Sequence, residues 1–117
     1  MSQTARFQET LRRLVLFDEG FVNAGFGLDR AEASALDAKT AALLQVAVSV
    51  AIGSSAVCLQ WGAARALAVG ATKDEITDVL LAIVPVAGLG RVVSAAPGVA
   101  AVLEYDIEAA LEEPNHH

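Results

Sequence analysis

An almost uninterrupted apolar run from Ala41 to Ile52 constrains the fold more than any other part of the chain. Gln45 and Ser49 are its only polar residues, and Gly53 follows it directly. A helix that spans a bilayer needs about 20 residues, so this run is too short to predict a membrane span. Its length and alanine-rich start favour a buried helix, although its β-branched residues also suit a strand.

Capping residues and apolar spacing predict further helices around this run. Asp37 is expected to cap a helix over Ala38–Ile52, and Ser55 to cap a second helix that stops at Gly70. The pattern from Thr72 to Glu75 predicts a capping box. The other predicted segments are a helix over 4–17, a short helix over 18–26, a charged connector over 28–36, a helix from 73 to about 84, a stretch over 86–95, and a last helix over 97–111 that starts at Pro97. The sequence therefore predicts an all-α protein of five to seven helices, forming a single domain over residues 1–117.

The composition favours self-association. Hydrophobic residues make up 55% of the 117 positions, above the usual range of about 45–50%. A domain of this size still exposes roughly a third of the surface of its unfolded chain. Because large apolar patches on a surface usually mark contacts with partners, we expect part of this apolar surface to cover a subunit interface.

Charge and cysteine content exclude several classes of protein. A net charge of −6 argues against nucleic-acid binding and against binding to an anionic membrane surface. One cysteine allows no intrachain disulfide and fits a reducing compartment, and no secretory signal is evident, so a cytoplasmic location is expected. We expect no metal and no cofactor, because there is no His/Cys cluster and no phosphate-binding glycine loop. Residues 113–117 are expected to form a solvated tail, in which His116 and His117 suit the remnant of an affinity tag.

The helix that follows Ser55 carries the residues with chemical potential. Cys58, the only cysteine, would lie in the first helical turn, where the helix dipole favours a thiolate. It is therefore the candidate catalytic residue. The alternative is that Cys58 is a small buried hydrophobe.

Four neighbouring residues are candidates for substrate binding. They are Ser55, Gln60, Trp61 and Arg65. Arg65 lies two turns after Cys58 and could hold a substrate carboxylate, or it could pair with a carboxylate of a neighbouring helix or subunit. Trp61 could form a stacking wall of a pocket, but a tryptophan on a small helical protein is more often an anchor in the core or in an interface.

Four pieces of sequence surround this helix in a fixed order: Leu36-Asp37-Ala38-Lys39-Thr40, Ala66-Leu67-Ala68-Val69-Gly70-Ala71-Thr72, Asp74-Glu75-Ile76 and Val79-Leu80. Together they closely resemble the carboxymuconolactone decarboxylase family, which includes the alkyl hydroperoxidase D-like proteins, over about residues 36–95. The pattern Ala-Leu-Ala-x-Gly-Ala-Thr-x-x-Glu-Ile is fairly specific to this family. The resemblance implies an all-α fold that assembles into homo-oligomers, as trimers or hexamers, with pockets near the subunit contacts.

The chain departs from the catalytic motif of the family it resembles. Peroxidatic members carry Cys-x-x-Cys-x-x-x-His on the corresponding helix. Cys58 matches the second cysteine, Ser55 stands at the first, and Gly62 stands at the histidine, which the decarboxylase branch also has. A supporting glutamate is expected near Ala42 or Leu43, and neither of these is acidic.

Two functional hypotheses follow from these departures. In the first, the chain is an oligomeric member that binds a small apolar or aromatic carboxylate with little turnover. In the second, it is a thiol-dependent peroxidase of the peroxiredoxin type, or a related lyase, that uses Cys58.

Overall fold

The computed structural model of the chain describes residues 3–17, 19–20, 35–105 and 107–112. Internal contacts divide the chain into two compact units, residues 1–36 and residues 37–117, which are described separately. Regular structure in the described ranges is entirely helical, which confirms the predicted all-α class. The extent of a single domain over residues 1–117 stays a prediction.

The helices of the described residues are named here in chain order. They are α1 (Gln3–Val15), α2 (Ala38–Ala51), α3 (Ala56–Ala68), α4 (Lys73–Ala82), α5 (Val84–Ala87), α6 (Leu89–Val102) and α7 (Ile107–Glu112). Within the described ranges, no helix combines the length and the hydropathy needed to cross a membrane.

The first unit contains α1, which confirms the helix predicted over residues 4–17 with slightly different ends. Glu9 receives a hydrogen bond from Arg13 Nε at 3.0 Å, one turn away on the same helix. The predicted short helix over 18–26 and the predicted connector over 28–36 lie largely outside the described residues. The predicted tail over 113–117, which holds His116 and His117, also lies outside them.

In the second unit, α2 and α3 begin as their capping residues predict. Asp37 Oδ1 accepts a hydrogen bond of 2.7 Å from the backbone N–H of Thr40. Hydrogen bonds from the Thr40 side chain and backbone lower the pKa of Asp37 below its ordinary value. Ser55 Oγ accepts a hydrogen bond from the N–H of Cys58 at the start of α3. Both caps satisfy backbone donors that have no partner within the helix.

The capping box at the start of α4 is also present, and it connects to α2. Thr72 Oγ1 accepts from the N–H of Glu75 at 3.0 Å, and Glu75 Oε1 accepts from the N–H of Thr72 at 2.9 Å. The second carboxylate oxygen of Glu75 lies 3.0 Å from Lys39 Nζ. Because Lys39 belongs to α2, this ion pair connects the first turns of two helices.

Helix α3 lies between α2 and α6 and packs closely against both. Ala63 and Ala66 are completely buried on the inner face of α3, where small side chains let the neighbouring backbones approach. The largest fully buried side chains of the second unit are Ile76, Val46, Val50 and Val99. These residues come from α2, α4 and α6, so one hydrophobic cluster holds all four long helices of this unit together.

Helix α2 is buried on one face only, although its sequence is apolar nearly all round. Ala42, Val46 and Val50 are buried in the core. A second row of apolar residues, here called the outer row of α2, is exposed: Leu44, Val48 and Ile52. The prediction of a buried helix therefore holds for half of its circumference.

The prediction that a last helix begins at Pro97 is wrong, because Pro97 lies in the interior of α6. Proline has no N–H and its ring crowds the carbonyl four residues earlier, so a helix interior normally disfavours it. Helix α6 nevertheless buries Val92, Ala95 and Val99 on both sides of this position. Packing of these side chains offsets the cost of the proline, and the helix continues to Val102.

Candidate functional site

Cys58 is the third residue of α3, and its side chain is exposed. The alternative that it is a buried hydrophobe is therefore wrong. Its backbone N–H donates to Ser55 Oγ at 3.4 Å, so Ser55 serves as a helix cap beside the cysteine. Among the residues that the structure describes, no side chain forms a hydrogen bond with the Cys58 thiol.

Trp61 and Arg65 lie one turn apart on α3 and contact each other. The guanidinium carbon of Arg65 lies over the indole ring, 5.7 Å from its centroid, which is a cation–π distance. The Trp61 side chain is 64% exposed, so it is not a core anchor of this chain. No carboxylate of the described residues pairs with Arg65.

The outward face of α3 brings together three of the five residues predicted for the site. Cys58, Trp61 and Arg65 follow one another at helical spacings of three and four, so they share one side of the helix. Gln60 is exposed, but it follows Cys58 by two residues and therefore lies on a different side of the helix. Ser55 lies at the helix start and is held by its cap hydrogen bond. This face is here called the α3 outer face.

Gly62, which follows Cys58 by one turn, leaves this face without a side chain at that point. A Cβ at Gly62 would lie 3.9 Å from Val46 Cγ2, an ordinary van der Waals distance. The site has room for a Cβ, so close packing does not by itself impose glycine at this position. A base or acid at position 62 would lie near the Cys58 thiol, and glycine supplies neither.

A separate cavity of about 310 Å³ opens where the end of α2, the start of α3 and residues 90–98 of α6 meet. It is here called the Arg91 cavity, since Arg91 is the only charged residue that lines it. Ser54 and Ser94 contribute hydroxyl groups to the lining, while Val50 and Leu59 contribute apolar walls. Cys58, Trp61 and Arg65 do not line this cavity, so the predicted site residues and the cavity are different places.

Sequence reasoning missed Arg91 as a candidate. The signal that could have found it is its isolation, because it is the only charged residue between Asp78 and Glu104. A charge retained within a long apolar stretch needs either a partner or solvent. In the described part of the chain, no acidic side chain pairs with Arg91.

Two further cavities are apolar and open. One, of about 210 Å³, lies between α2 and α4 and is lined by residues that include Leu43, Leu44 and Ile83. The other, of about 280 Å³, lies between α4 and α6 and is lined by residues that include Leu80 and Tyr105. Neither lining contains a charged side chain. Within the described residues, no three His, Cys, Asp or Glu side chains come together in a way that could hold a metal ion.

Comparison with models of protein families gives a match over most of the chain. The model of the carboxymuconolactone decarboxylase family matches residues 16–101, which is well over half of the chain. The match includes α2 to α5 and nearly all of α6, and with them the α3 outer face and the Arg91 cavity. No curated protein and no solved structure matches the chain at a significant level.

Proposed function

Because the chain belongs to the carboxymuconolactone decarboxylase family, we propose that it is an oligomeric member that binds a small apolar or aromatic carboxylate and converts it slowly or not at all. The observation that carries this proposal is the chemical isolation of Cys58. The thiol is exposed, but in the described residues neither an acid nor a base contacts it.

The chemistry of the family motif explains why this isolation matters. Reduction of a peroxide by a thiol pair needs a resolving thiol, and it is helped by a group that transfers protons. Ser55 cannot form a disulfide with Cys58, and Gly62 cannot transfer a proton. Decarboxylation also needs a general acid or base near the substrate. On α3 the only ionisable side chains are those of Cys58 and Arg65.

The apolar surface of the second unit supports assembly into a trimer or hexamer. The outer row of α2 presents Leu44, Val48 and Ile52 to solvent, each more than half exposed. Leu44 also lines the apolar cavity between α2 and α4, so the row and the cavity form one continuous apolar surface. Surfaces of this kind usually mark protein contacts. We propose that a second copy of the chain covers this surface, because the outer row of α2 lies within residues 16–101, the part of the chain that matches the family.

Assembly can be tested with one substitution in the outer row and one outside it. Light scattering coupled to gel filtration should give wild-type masses of three or six chains of 12.1 kDa. Val48→Asp places a charge in the proposed contact and should yield smaller species, since burying an unpaired charge is costly. Val86→Asp changes a residue of α5 that is 93% exposed and should leave the mass unchanged. A monomeric wild type, or an unaltered Val48→Asp assembly, would contradict the proposal.

Turnover can be tested directly with purified protein. Wild type and Cys58→Ser are incubated with an organic hydroperoxide and dithiothreitol. In a separate assay they are incubated with carboxymuconolactone. We expect the rates of peroxide loss and of carbon dioxide release to match those of protein-free controls. Rapid peroxide loss that Cys58→Ser abolishes would refute the proposal and support the second hypothesis.

The exposure of Cys58 favours a second candidate function, a thiol-dependent peroxidase. The Cys58 thiolate would attack the terminal peroxide oxygen, giving a sulfenic acid and releasing an alcohol. Two external thiols would then reduce the sulfenic acid to thiol and water and would themselves be oxidised to a disulfide. The discriminating measurement is mass spectrometry after one equivalent of peroxide. A gain of one oxygen atom at Cys58, reversed by dithiothreitol within the time of turnover, would favour the peroxidase. An unmodified Cys58 would exclude it.

A further inference from the structure

We propose that the Arg91 cavity is the binding site of a small monocarboxylate with an apolar body, in which Arg91 pairs with the carboxylate. The inference deepens the proposed function, on which it rests for the ligand class, and it moves the site away from the α3 outer face. The catalytic motif on α3 does not point to this cavity. Two segments that are far apart in the chain, residues 50–59 and 90–98, form its lining.

The charge of the cavity lining is the first argument. The chain has 14 acidic and 8 basic residues, yet Arg91 is the only charged residue in the cavity wall. No described carboxylate neutralises it within the chain. A concave surface whose only charge is an unpaired cation attracts anionic ligands and repels cationic ones. In this acidic protein, the Arg91 cavity therefore favours an anionic ligand.

The geometry around Arg91 is the second argument. Its guanidinium lies against the backbone at Gly53, in space that the Cβ of any other residue would occupy. Ser54 follows Gly53 directly in the chain, and Ser94 lies one turn after Arg91 on α6, so serines from two elements line the same cavity as Arg91. A guanidinium presents two parallel N–H groups to a carboxylate, and hydroxyl groups can donate further hydrogen bonds to it.

The size and the apolar walls define the rest of the ligand. Ligand cavities generally range from about 300 to 1,000 Å³, so a volume of about 310 Å³ fits only a small molecule. Val50, Leu59 and Pro97 line the cavity together with the polar groups. One cation and these walls match a single carboxylate on an apolar or aromatic body, whereas a phosphate dianion would leave much of its charge uncompensated.

The test uses benzoate as the probe and benzamide as its uncharged counterpart. Both are titrated into full-length protein at constant ionic strength, because salt screens the interaction, and binding is followed by calorimetry and by amide chemical shifts. Arg91→Gln removes the charge at an exposed position. Arg65→Gln is the matched control, since it removes the arginine that lies over Trp61, outside the cavity.

We expect benzoate to bind and benzamide to bind much more weakly. Arg91→Gln should weaken benzoate binding about tenfold or more, as expected for loss of a charged hydrogen-bond partner. Arg65→Gln should leave it within about twofold, because Arg65 does not line the cavity. Amides of residues 53–56 and 91–95 should shift on binding. Equal binding of benzamide, no saturable binding at millimolar benzoate, or a loss caused by Arg65→Gln rather than Arg91→Gln would overturn the inference. If benzoate binds but Arg91→Gln has no effect, only the location fails, and carboxylate binding by the chain stands.

Discussion

The guanidinium of Arg91 lies against the backbone of Gly53, where a side chain at position 53 would begin. Gly53 also has a φ of +72°, in the left-handed region that glycine adopts readily. The left-handed backbone therefore favours glycine at this position, and a side chain here would also have to displace the flexible end of Arg91, which comes 38 positions later. Gly70 shares the first constraint, with a φ of +100°, but no atom lies within 4 Å of a Cβ placed there.

Gly53→Ala and Gly70→Ala are expected to separate these two constraints. Each should lower the free energy of unfolding by about 1–2 kcal/mol, the cost of a left-handed conformation for a residue with a Cβ. Only Gly53→Ala should also displace Arg91 and weaken benzoate binding. Chemical denaturation and the benzoate titration measure the two effects. Equal benzoate affinities in the two variants would contradict the role of Gly53.

Glu75 is expected to make the stability depend on pH in the acid range. The backbone hydrogen bond from Thr72 and the hydrogen bond from Lys39 lower the pKa of Glu75 below its ordinary value of 4.5. Because the folded pKa lies below the unfolded one, the contribution is fully present above the unfolded pKa and is lost as pH falls through the folded pKa.

Glu75→Gln should therefore be less stable than wild type at pH 7, and the two melting temperatures should converge as pH falls below about 4.5, the ordinary glutamate value. Thermal unfolding followed by circular dichroism between pH 7 and pH 3 measures this. Asp78→Asn, on the same helix, is the control, because the described residues give the Asp78 carboxylate no hydrogen bond or ion pair. Parallel curves for Glu75→Gln and wild type would refute the prediction.

Ile76 is expected to be the most sensitive position of α4. Its side chain is completely buried, and replacing a buried isoleucine by alanine costs about 2–5 kcal/mol. Leu81 lies on the same helix but is 69% exposed, so Leu81→Ala should change stability by only about 0.5 kcal/mol. Urea denaturation measures both. Comparable losses of stability in the two variants would contradict the burial of Ile76 and the exposure of Leu81.

Pro97→Ala is expected to stabilise the protein. The substitution restores an N–H that can donate to the carbonyl of Val93 within α6, and a proline inside a helix costs about 3 kcal/mol relative to alanine. Gly98→Ala should stabilise by a smaller amount of about 0.5–1 kcal/mol, since its Cβ would lie 4.0 Å from Leu59, an ordinary contact. Melting temperatures measure both changes. A lower melting temperature for Pro97→Ala would mean that the proline ring itself contributes to packing.

The starts of α2, α3 and α4 could be predicted because each depends on a few consecutive residues. Asp37 and Ser55 each accept a hydrogen bond from the N–H group three positions later. Thr72 and Glu75, also three positions apart, each accept a hydrogen bond from the other's N–H group. The local sequence therefore contains everything needed to predict these caps. Pro97 shows the limit of the same reasoning. The local rule predicted a helix start there, and the packing of α6 against the core outweighed it.

The site could be predicted only in part for a related reason. The spacing of Cys58 and Arg65 put these two residues two turns apart on α3, whereas the contact between Arg65 and Trp61 emerged only from the structure. Their exposure could not be predicted, because an apolar segment of one helix does not reveal which of its faces is covered. For Cys58 the sequence favoured a buried position over a reactive exposed thiol, and the structure places it at the surface.

The sequence by itself determined the helical class, the capping residues of α2, α3 and α4, and membership of the family, because these properties reside in short, contiguous patterns. Only the tertiary structure decided that Gly53, Ser54, Arg91 and Ser94 border one cavity and that the outer row of α2 stays uncovered within the chain. The reason is physical: both features arise from how α3 packs between α2 and α6, which joins segments far apart in the chain.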